Sequence, residues 1–231
     1  MLSMKKSASR IVGQLCLLLT CMLMCQGCGT GNYEQKMEAS RARLETQKSL
    51  MQRFDNDLYA EAPIPDTSIG LRVPLVFENP PQSDVSREPA FVRSLPGLKL
   101  DYQVYGVDAN NVEHMFHLYV GVTESSPDLL QTLSGKVKRA FSGSKADWQD
   151  ETCDTPTGGT VAWKRLRVTG PQPFQSRAGT VPTEPGIFDL WVHDAAGTSV
   201  LVAWRVPTSI AKQTKYEELA PLTAGTVAEG G

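Results

Sequence analysis

The sequence predicts an α+β fold: an antiparallel sheet with packing helices, preceded by an amphipathic N-terminal helix. Three observations predict it. Segments that alternate between apolar and polar residues recur in the second half of the chain, they pair across turn residues, and a segment of helical apolar period separates the pairs. The predicted order is strand, strand, helix, several strands, helix. The 231 residues, 41% hydrophobic and 21% charged, are enough for one globular domain with accessory segments.

The first predicted hairpin covers residues 98–122. "LKLDYQVY", Leu98–Tyr105, alternates cleanly and predicts a half-buried strand with Asp101 on its polar face. "GVDANN" supplies turn residues, and "VEHMFHLYVGV" follows as the second strand. Its predicted apolar face is Phe116, Leu118, Val120 and Val122.

The helix after this hairpin has a clear start signal. Ser126-Pro127-Asp128 has the order of a cap, a first-position proline and a first-turn acid. Gly143 suits the end of the helix. The predicted apolar stripe is Leu129, Leu130, Leu133, Val137, Ala140 and Phe141.

The last third predicts further strands and a closing helix. "TVAWKRLRV", Thr160–Val168, reads as a strand, and Ile187–His193 pairs with Thr198–Val206 across "DAAG". Because Thr198–Val206 is apolar on both faces near its centre, it predicts an inner strand. A closing helix from Ser209 is predicted to be cut at Pro221. Residues 147–154 read as a polar loop and residues 171–185 as a proline-bearing insertion.

The N-terminus carries a targeting pattern. Lys5, Lys6 and Arg10 precede an apolar run over Ile11–Met24, which predicts a signal peptide at residues 1–27. The 15 residues of Ile11–Cys25 reach roughly 22 Å as a helix, short of a membrane core of about 30 Å. A permanent span is therefore the weaker interpretation.

The cysteines fit this targeting interpretation. Four of the five lie in the first 28 residues, and Cys153 alone lies in the body, so they form no disulfide framework. Their spacings of five, four and three residues do not match a zinc site. "QGCG" with Gly27-Cys28 resembles a bacterial lipoprotein signal, although Cys25 stands where that family prefers leucine. An ordinary secretory signal or an uncleaved anchor is the alternative.

The lipoprotein resemblance implies several expectations. Cys28 would carry the lipid and be the mature N-terminus, so the membrane is an expected partner through that anchor. The expected location is the cell envelope, facing the periplasm or the exterior. Gly29 stands where some Gram-negative lipoproteins have an aspartate that retains them at the inner membrane, which favours the outer membrane.

Residues 28–59 form the predicted lipidated N-terminus and helical stalk. Apolar residues recur every seven positions over about Tyr33 to Tyr59, which predicts an amphipathic helix. Polar Ser40 and Gln47 interrupt the seam, so the protein is expected to be monomeric or weakly self-associating. A helix that lies on its own domain, or that forms only in part, is the alternative. The repeating positions are Met37, Leu44, Met51 and Leu58, with Tyr33, Ser40, Gln47 and Phe54 between them.

Residues 60–97 read as a proline-rich linker, and residues 98–231 as the α+β domain. The linker contains "IGLRVPLVF", Ile69–Phe77, a predicted short edge strand able to pair with the domain. This segment and the element order over residues 69–227 resemble the Mog1/PsbP-like fold, whose opening strand has a "vPxxF" pattern. The resemblance implies a sheet sandwiched by helices and a non-enzymatic accessory or binding module.

Few residues are candidates for catalysis or metal binding. His114 and His117 are three apart on one strand and point to opposite faces, so "HMFH" cannot bind one metal ion, and neither a metal nor a cofactor is expected. His193 is expected to be a solvated hairpin residue. Ser142 and Ser144 lack a nucleophile motif. Cys153 has acidic neighbours, which disfavour a thiolate, and is expected to be inert.

One binding face is predicted where Trp191 meets Lys164, Arg165 and Arg167, with aromatic core packing as the alternative.

Cleavage after residue 27 removes three positive charges and no negative ones, so the net charge moves from −2 to −5. An acidic body argues against nucleic acid as a partner. The sequence thus predicts a membrane-anchored envelope lipoprotein with a non-catalytic domain that binds a ligand or an envelope protein. An envelope hydrolase and a structural spacer acting through the helix are the alternatives.

Overall fold

The computed structural model describes residues 30–53, 64–77, 88–142, 144–176, 182–195 and 197–229. The chain divides into two compact units, Met1–Glu45 and Thr46–Gly231. The predicted signal peptide and Cys28, the predicted lipidation residue, lie outside the described residues.

The described chain contains four helices and eight strands. The helices are α1 Thr30–Arg53, α2 Ala90–Arg93, α3 Leu129–Ala140 and α4 Tyr216–Gly225. The strands are β1 Ile69–Gly70, β2 Leu98–Val107, β3 Glu113–Glu124, β4 Trp148–Asp154, β5 Thr160–Pro173, β6 Thr183–Ala195, β7 Thr198–Pro207 and β8 Ala228–Glu229. Six strands form one sheet in the order β2-β3-β7-β6-β5-β4, and β1 pairs with β8. Every described pairing is antiparallel, so the predicted α+β class is confirmed.

Helix α1 covers most of the predicted stalk. It begins at Thr30 and runs to Arg53, and the remainder of the prediction, residues 54–59, lies outside the described residues. The apolar side chains of Tyr33 and Leu44 are 65% and 64% exposed. Among the described helices, none combines the length and the apolar character needed to cross a bilayer.

Apolar side chains cover the six-stranded sheet on both faces. On one face, Phe116 and Trp204 pack with the linker residue Leu71 and with Tyr216 of α4. On the other face, the sheet packs against α2 and the apolar stripe of α3, with Leu129, Leu133, Val137 and Phe141 buried. Strand β7 pairs with β3 and with β6, which confirms the predicted inner strand.

The prediction for β2 is wrong in one respect. The strand is present, but its register shifts between Leu98 and Leu100, so Leu98 packs in the cluster opposite to that of Leu100. Asp101, predicted on a polar face, is fully buried. Alternation identifies the two faces of a strand, but it does not reveal that a distant segment covers the polar one.

Two predicted loops are strands. Residues 148–154 form the edge strand β4, which pairs with β5 from Trp148 opposite Leu166 to Asp154 opposite Thr160. The predicted insertion at residues 171–185 is partly the end of a long hairpin, because Pro171 lies opposite Pro185 in the β5–β6 pair. Because these strands contain polar and proline residues, they lack the apolar alternation by which a strand is predicted.

The helix boundaries also differ from the prediction. Helix α3 begins at Leu129, because residues 127–128 form a turn, and Ala140 of its predicted stripe is exposed. The closing helix α4 begins at Tyr216 and continues through Pro221 instead of being cut there. The edge-strand prediction for Ile69–Phe77 holds for Ile69–Gly70, which pairs with β8.

Candidate functional site

A group of buried polar side chains lies on the sheet face that packs against α2 and α3. Glu88, Asp101, His117, Tyr119 and Arg205 form it, and we call it the His117 cluster. Asp101 of β2 lies opposite Tyr119 of β3, and His117 of β3 lies opposite Arg205 of β7. Register therefore places four members on three adjacent strands, and Glu88 joins them from the segment just before α2.

One imidazole nitrogen faces both carboxylates of the cluster. His117 Nδ1 lies 3.1 Å from Asp101 Oδ1 and 3.9 Å from Glu88 Oε1. The first distance is that of a hydrogen bond, and the second is too long for one. Asp101, His117 and Glu88 are 0%, 2% and 9% exposed, so this contact is almost fully removed from water.

The second oxygen of each carboxylate is held by a donor. Gln103 Nε2 donates to Asp101 Oδ2 at 2.5 Å. Tyr119 donates its hydroxyl to Glu88 Oε2 at 2.5 Å, and Arg205 Nη1 donates to the same oxygen at 2.9 Å. Burial raises the pKa of the Tyr119 phenol well above its usual range, so this group is a donor near neutral pH. These bonds fix the orientation of both carboxylates.

Arg205 connects the cluster to the end of β5. Its Nη2 donates to the carbonyl oxygen of Pro173, and its guanidinium lies 4.7 Å from the ring centroid of Phe174. The His117 ring stacks on Tyr119 with centroids 5.3 Å apart. A buried arginine requires such compensation, because an unpaired charge in this position would cost several kcal/mol.

His114, on the opposite face of β3, has a different arrangement. Its Nδ1 lies 2.7 Å from Glu184 Oε1, and its Nε2 lies 3.3 Å from Asp108 Oδ2. Asp108 Oδ1 accepts the backbone N–H groups of Asn110 and Val112, both at 2.8 Å. Each ring nitrogen thus faces one carboxylate, and the contacts tie the β2–β3 turn to β6. The sequence-based conclusion that the two histidines do not share one site holds in the structure.

Three residues of the described chain could hold a metal ion together. The ligand atoms of Glu88, Asp101 and His117 all lie within 4.8 Å of one another. Sequence reasoning compared only the histidines with each other and assigned Asp101 to a solvated face. The available signal was that Asp101 and Gln103 lie off the predicted apolar face of the first strand, and that His117 and Tyr119 lie off that of the second.

The predicted binding face is assembled only in part. Arg165 lies opposite Trp191 in the β5–β6 pair, with its guanidinium 4.7 Å from the Trp191 ring centroid. Trp191 is 1% exposed and packs among core residues. Lys164 points to the other face, where it pairs with Asp150. As a binding surface the group stays a prediction, and Arg165 and Arg167 are the members on the Trp191 face whose side chains reach solvent.

The arginines of this face belong to a second ionic group, the Asp189 network, formed by Asp189, Arg165, Tyr216, Arg167 and Glu217. Arg165 donates from Nε to Asp189 Oδ1 at 2.9 Å and from Nη2 to Oδ2 at 2.8 Å. Tyr216 donates its hydroxyl to Asp189 Oδ2 at 2.9 Å, and Arg167 Nη2 donates to Glu217 at 2.6 Å. Burial opposes the charge of Arg165, but the hydrogen bonds to Asp189 outweigh it and raise its pKa.

The other sequence candidates are members of neither group. His193 is half-buried beside Trp163, with ring centroids 5.2 Å apart, and its Nδ1 donates to the carbonyl of Ala162 at 2.9 Å. It lies on the opposite sheet face from His117. Burial, with a contribution from nearby Glu151, raises the pKa of the Cys153 thiol to about 12. Such a thiol stays protonated at neutral pH, which agrees with the expectation that it is inert.

The sequence matches no protein-family model and no curated protein. Among solved structures, the chain is similar to cyanobacterial PsbP (CyanoP) from Synechocystis sp. PCC 6803, determined in solution. The two share 14% identity, the match covers 70% of this chain and 86% of that chain, and the TM-score is 0.38. A likeness at this level carries no argument about activity or partners.

Proposed function

We propose that this protein is a lipid-anchored lipoprotein of the cell envelope whose α+β domain is a non-catalytic binding module. The anchor is supported by the basic and apolar pattern of residues 1–27 and by the small residue Gly27 before Cys28. The domain faces the periplasm or the exterior, and Gly29 after the modified cysteine favours the outer membrane.

The observation that carries the non-catalytic assignment is the mutual pairing of the buried ionisable groups. Arg205 is bound to Glu88 and Tyr119, and Arg165 is bound to Asp189. A catalytic acid, base or nucleophile must reach a substrate, whereas these groups are directed at one another. Their arrangement supports a role in stabilising the folded domain, which then binds its partner through its surface.

The binding surface that we propose is the solvent-facing edge of the Asp189 network. Side chains of Arg165 and Arg167 are 17% and 34% exposed there, and Glu217 is 60% exposed. Trp191 supports Arg165 from beneath and does not itself contact a partner. A surface of paired opposite charges fits an envelope protein or a small polar ligand better than a polyanion.

The anchor is tested by metabolic labelling with an acyl-chain analogue. We expect the wild-type protein to take up label and to partition with membranes, and the Cys28→Ala variant to lose both. Cys25→Ala is the matched control, because it removes a neighbouring thiol and leaves the proposed modification site intact. Label that persists in Cys28→Ala, or an unlabelled wild type, would contradict the anchor.

The binding surface is tested by photo-crosslinking in intact envelopes. A photoreactive residue at position 167 should give a discrete adduct, and the same residue at position 164, on the opposite sheet face, should not. Equal adducts from both positions would contradict the assignment, as would none from position 167.

Helix α1 favours a second role as a spacer. Its 24 residues span about 36 Å, and its described apolar side chains Tyr33, Met37 and Leu44 are exposed. Equilibrium sedimentation with and without residues 30–53 distinguishes a spacer from a self-associating helix. A monomer in both cases would remove any coiled-coil role.

A further inference from the structure

We propose that the His117 cluster is a binding site for a divalent transition-metal ion, with zinc as the best-matched ion. The three ligands are His117 Nδ1, Asp101 Oδ1 and Glu88 Oε1, whose mutual separations stay within 4.8 Å. This site goes beyond the proposed binding module, because it lies among buried residues on the face of the sheet opposite to the proposed binding surface.

The spacing of the ligand atoms fits one ion. Ligand atoms at about 2.0–2.1 Å from a tetrahedral zinc ion lie about 3.3 Å apart. The distances of 3.1 Å and 3.9 Å from His117 Nδ1 to the two carboxylate oxygens bracket this value. The third separation, between the Asp101 and Glu88 oxygens, stays within 4.8 Å.

The surrounding donors are arranged as the outer partners of a metal site. Gln103 holds the second oxygen of Asp101, and Tyr119 and Arg205 hold the second oxygen of Glu88. Each carboxylate therefore keeps one oxygen directed at His117 Nδ1. Such outer hydrogen bonds are the usual means by which proteins orient carboxylate ligands.

The charge of the cluster also favours a cation. The carboxylates of Glu88 and Asp101 carry two negative charges, and Arg205 supplies one positive charge, so one negative charge remains when His117 is neutral. A divalent ion bound between these ligand atoms would compensate it.

The donor set indicates the class of metal. One imidazole nitrogen with two carboxylate oxygens suits zinc and related transition ions, whereas magnesium and calcium prefer oxygen donors alone. Glu88 precedes α2, Asp101 lies in β2 and His117 in β3. A bound ion would therefore cross-link the segment before α2 to the edge of the sheet.

The test is calorimetric titration of the full chain with zinc, with Cys16, Cys21, Cys25 and Cys28 replaced by serine so that their thiolates do not bind it. The protein is titrated without a histidine tag, because a tag would itself bind zinc. We expect this background to bind one equivalent of zinc. Asp101→Asn should lower the affinity by ~100-fold or more, because loss of a ligand should cost more than the roughly 10–100-fold effect of losing an outer hydrogen-bond partner. Magnesium at the same concentration should give no saturable binding.

Glu184→Gln is the matched control, because it changes a carboxylate to an amide beside His114, where the carboxylates face different nitrogens. It should bind zinc as the background does. Glu88→Gln provides a second ligand variant, and circular dichroism establishes that each variant is folded. The proposal would be overturned if the folded background did not bind zinc. It would also be overturned if folded Asp101→Asn and Glu88→Gln bound zinc with the same affinity as the background.

Discussion

Two histidines three residues apart on β3 have the same kinds of neighbours and opposite arrangements. His114 has one carboxylate at each ring nitrogen, Glu184 at 2.7 Å and Asp108 at 3.3 Å. His117 has two carboxylates near one nitrogen, Asp101 at 3.1 Å and Glu88 at 3.9 Å. The same types of residue can therefore form different sites, depending on whether the carboxylates lie near one ring nitrogen or near both.

The consequence is a division of roles between the two faces of β3. Around His114, carboxylate oxygens also accept the N–H groups of the β2–β3 turn, so the contacts hold chain segments together. Around His117, the outer oxygens are held and the inner ones converge, which is the arrangement of a ligand site.

Replacing Arg205 should give the largest loss of stability. Arg205→Met leaves Glu88 buried without its cation, and breaking a buried pair costs about 3–5 kcal/mol. Urea denaturation measures the free energy of unfolding.

Arg205→Lys is the control, since it keeps the charge and loses the planar donors. It should recover part of the stability. A loss below about 1 kcal/mol in Arg205→Met would show that Glu88 is not held by Arg205.

Removing one phenol hydroxyl from each face of the sheet should destabilise both variants and affect zinc binding differently. Tyr216→Phe deletes a buried hydrogen bond to Asp189, worth about 2 kcal/mol, whereas Tyr119→Phe deletes the bond to Glu88 and the one accepted from Arg205. Thermal unfolding measures the loss. Only Tyr119→Phe should weaken zinc binding, and an equal change in both variants would contradict the division between the faces.

The exposed pair at the edge of the Asp189 network should contribute little. Arg167→Gln removes the bond to Glu217, whose side chain is 60% exposed, and a solvated pair contributes about 0–1 kcal/mol. Urea denaturation at low and high salt checks this value. A loss above about 2 kcal/mol would mean that Arg167 stabilises α4 through its contact with the Tyr216 ring.

The smallest effect is local and depends on pH. Backbone donation by Val112 is the main cause that lowers the pKa of Asp108 below its usual range, and this outweighs desolvation. A lowered pKa means that the carboxylate stabilises the folded turn at neutral pH and loses this effect as the pH falls through the folded-state pKa. Hydrogen-exchange protection of the Asn110 and Val112 amides should decrease in acid. Asp108→Asn should remove the pH dependence, and unchanged protection in acidified wild type would contradict the role of the turn.

Periodicity predicted the elements whose apolar positions repeat without interruption. The predicted apolar face of β3, the centre of β7 and most of the α3 stripe match the structure, because these residues pack in the two apolar clusters of the core. Strand β4 was missed because an edge strand needs few apolar residues, and "WQDETCD" offers them only at Trp148 and Cys153. Pro221 was expected to end a helix, yet α4 continues through it, packed on the core by Leu219, Ala220 and Ala224.

The candidate site was less accessible to sequence reasoning than the fold. Alternation put Asp101 and His117 off the apolar faces of their strands, but it gave no register between them, and nothing local indicated that this face is covered. Glu88 joins the cluster from a proline-rich segment that has no periodic pattern and lies 29 residues before His117 along the chain. Long-range burial of polar groups depends on tertiary packing, which propensity and alternation do not encode.

The most direct measurement of the central claim is a crystal structure of the zinc-soaked protein, with anomalous scattering recorded at the zinc absorption edge. We predict one strong peak within about 2.0–2.2 Å of His117 Nδ1, Asp101 Oδ1 and Glu88 Oε1. No peak is predicted beside His114. A map with no peak in the His117 cluster, or with its strongest peak between His114 and Glu184, would contradict the account.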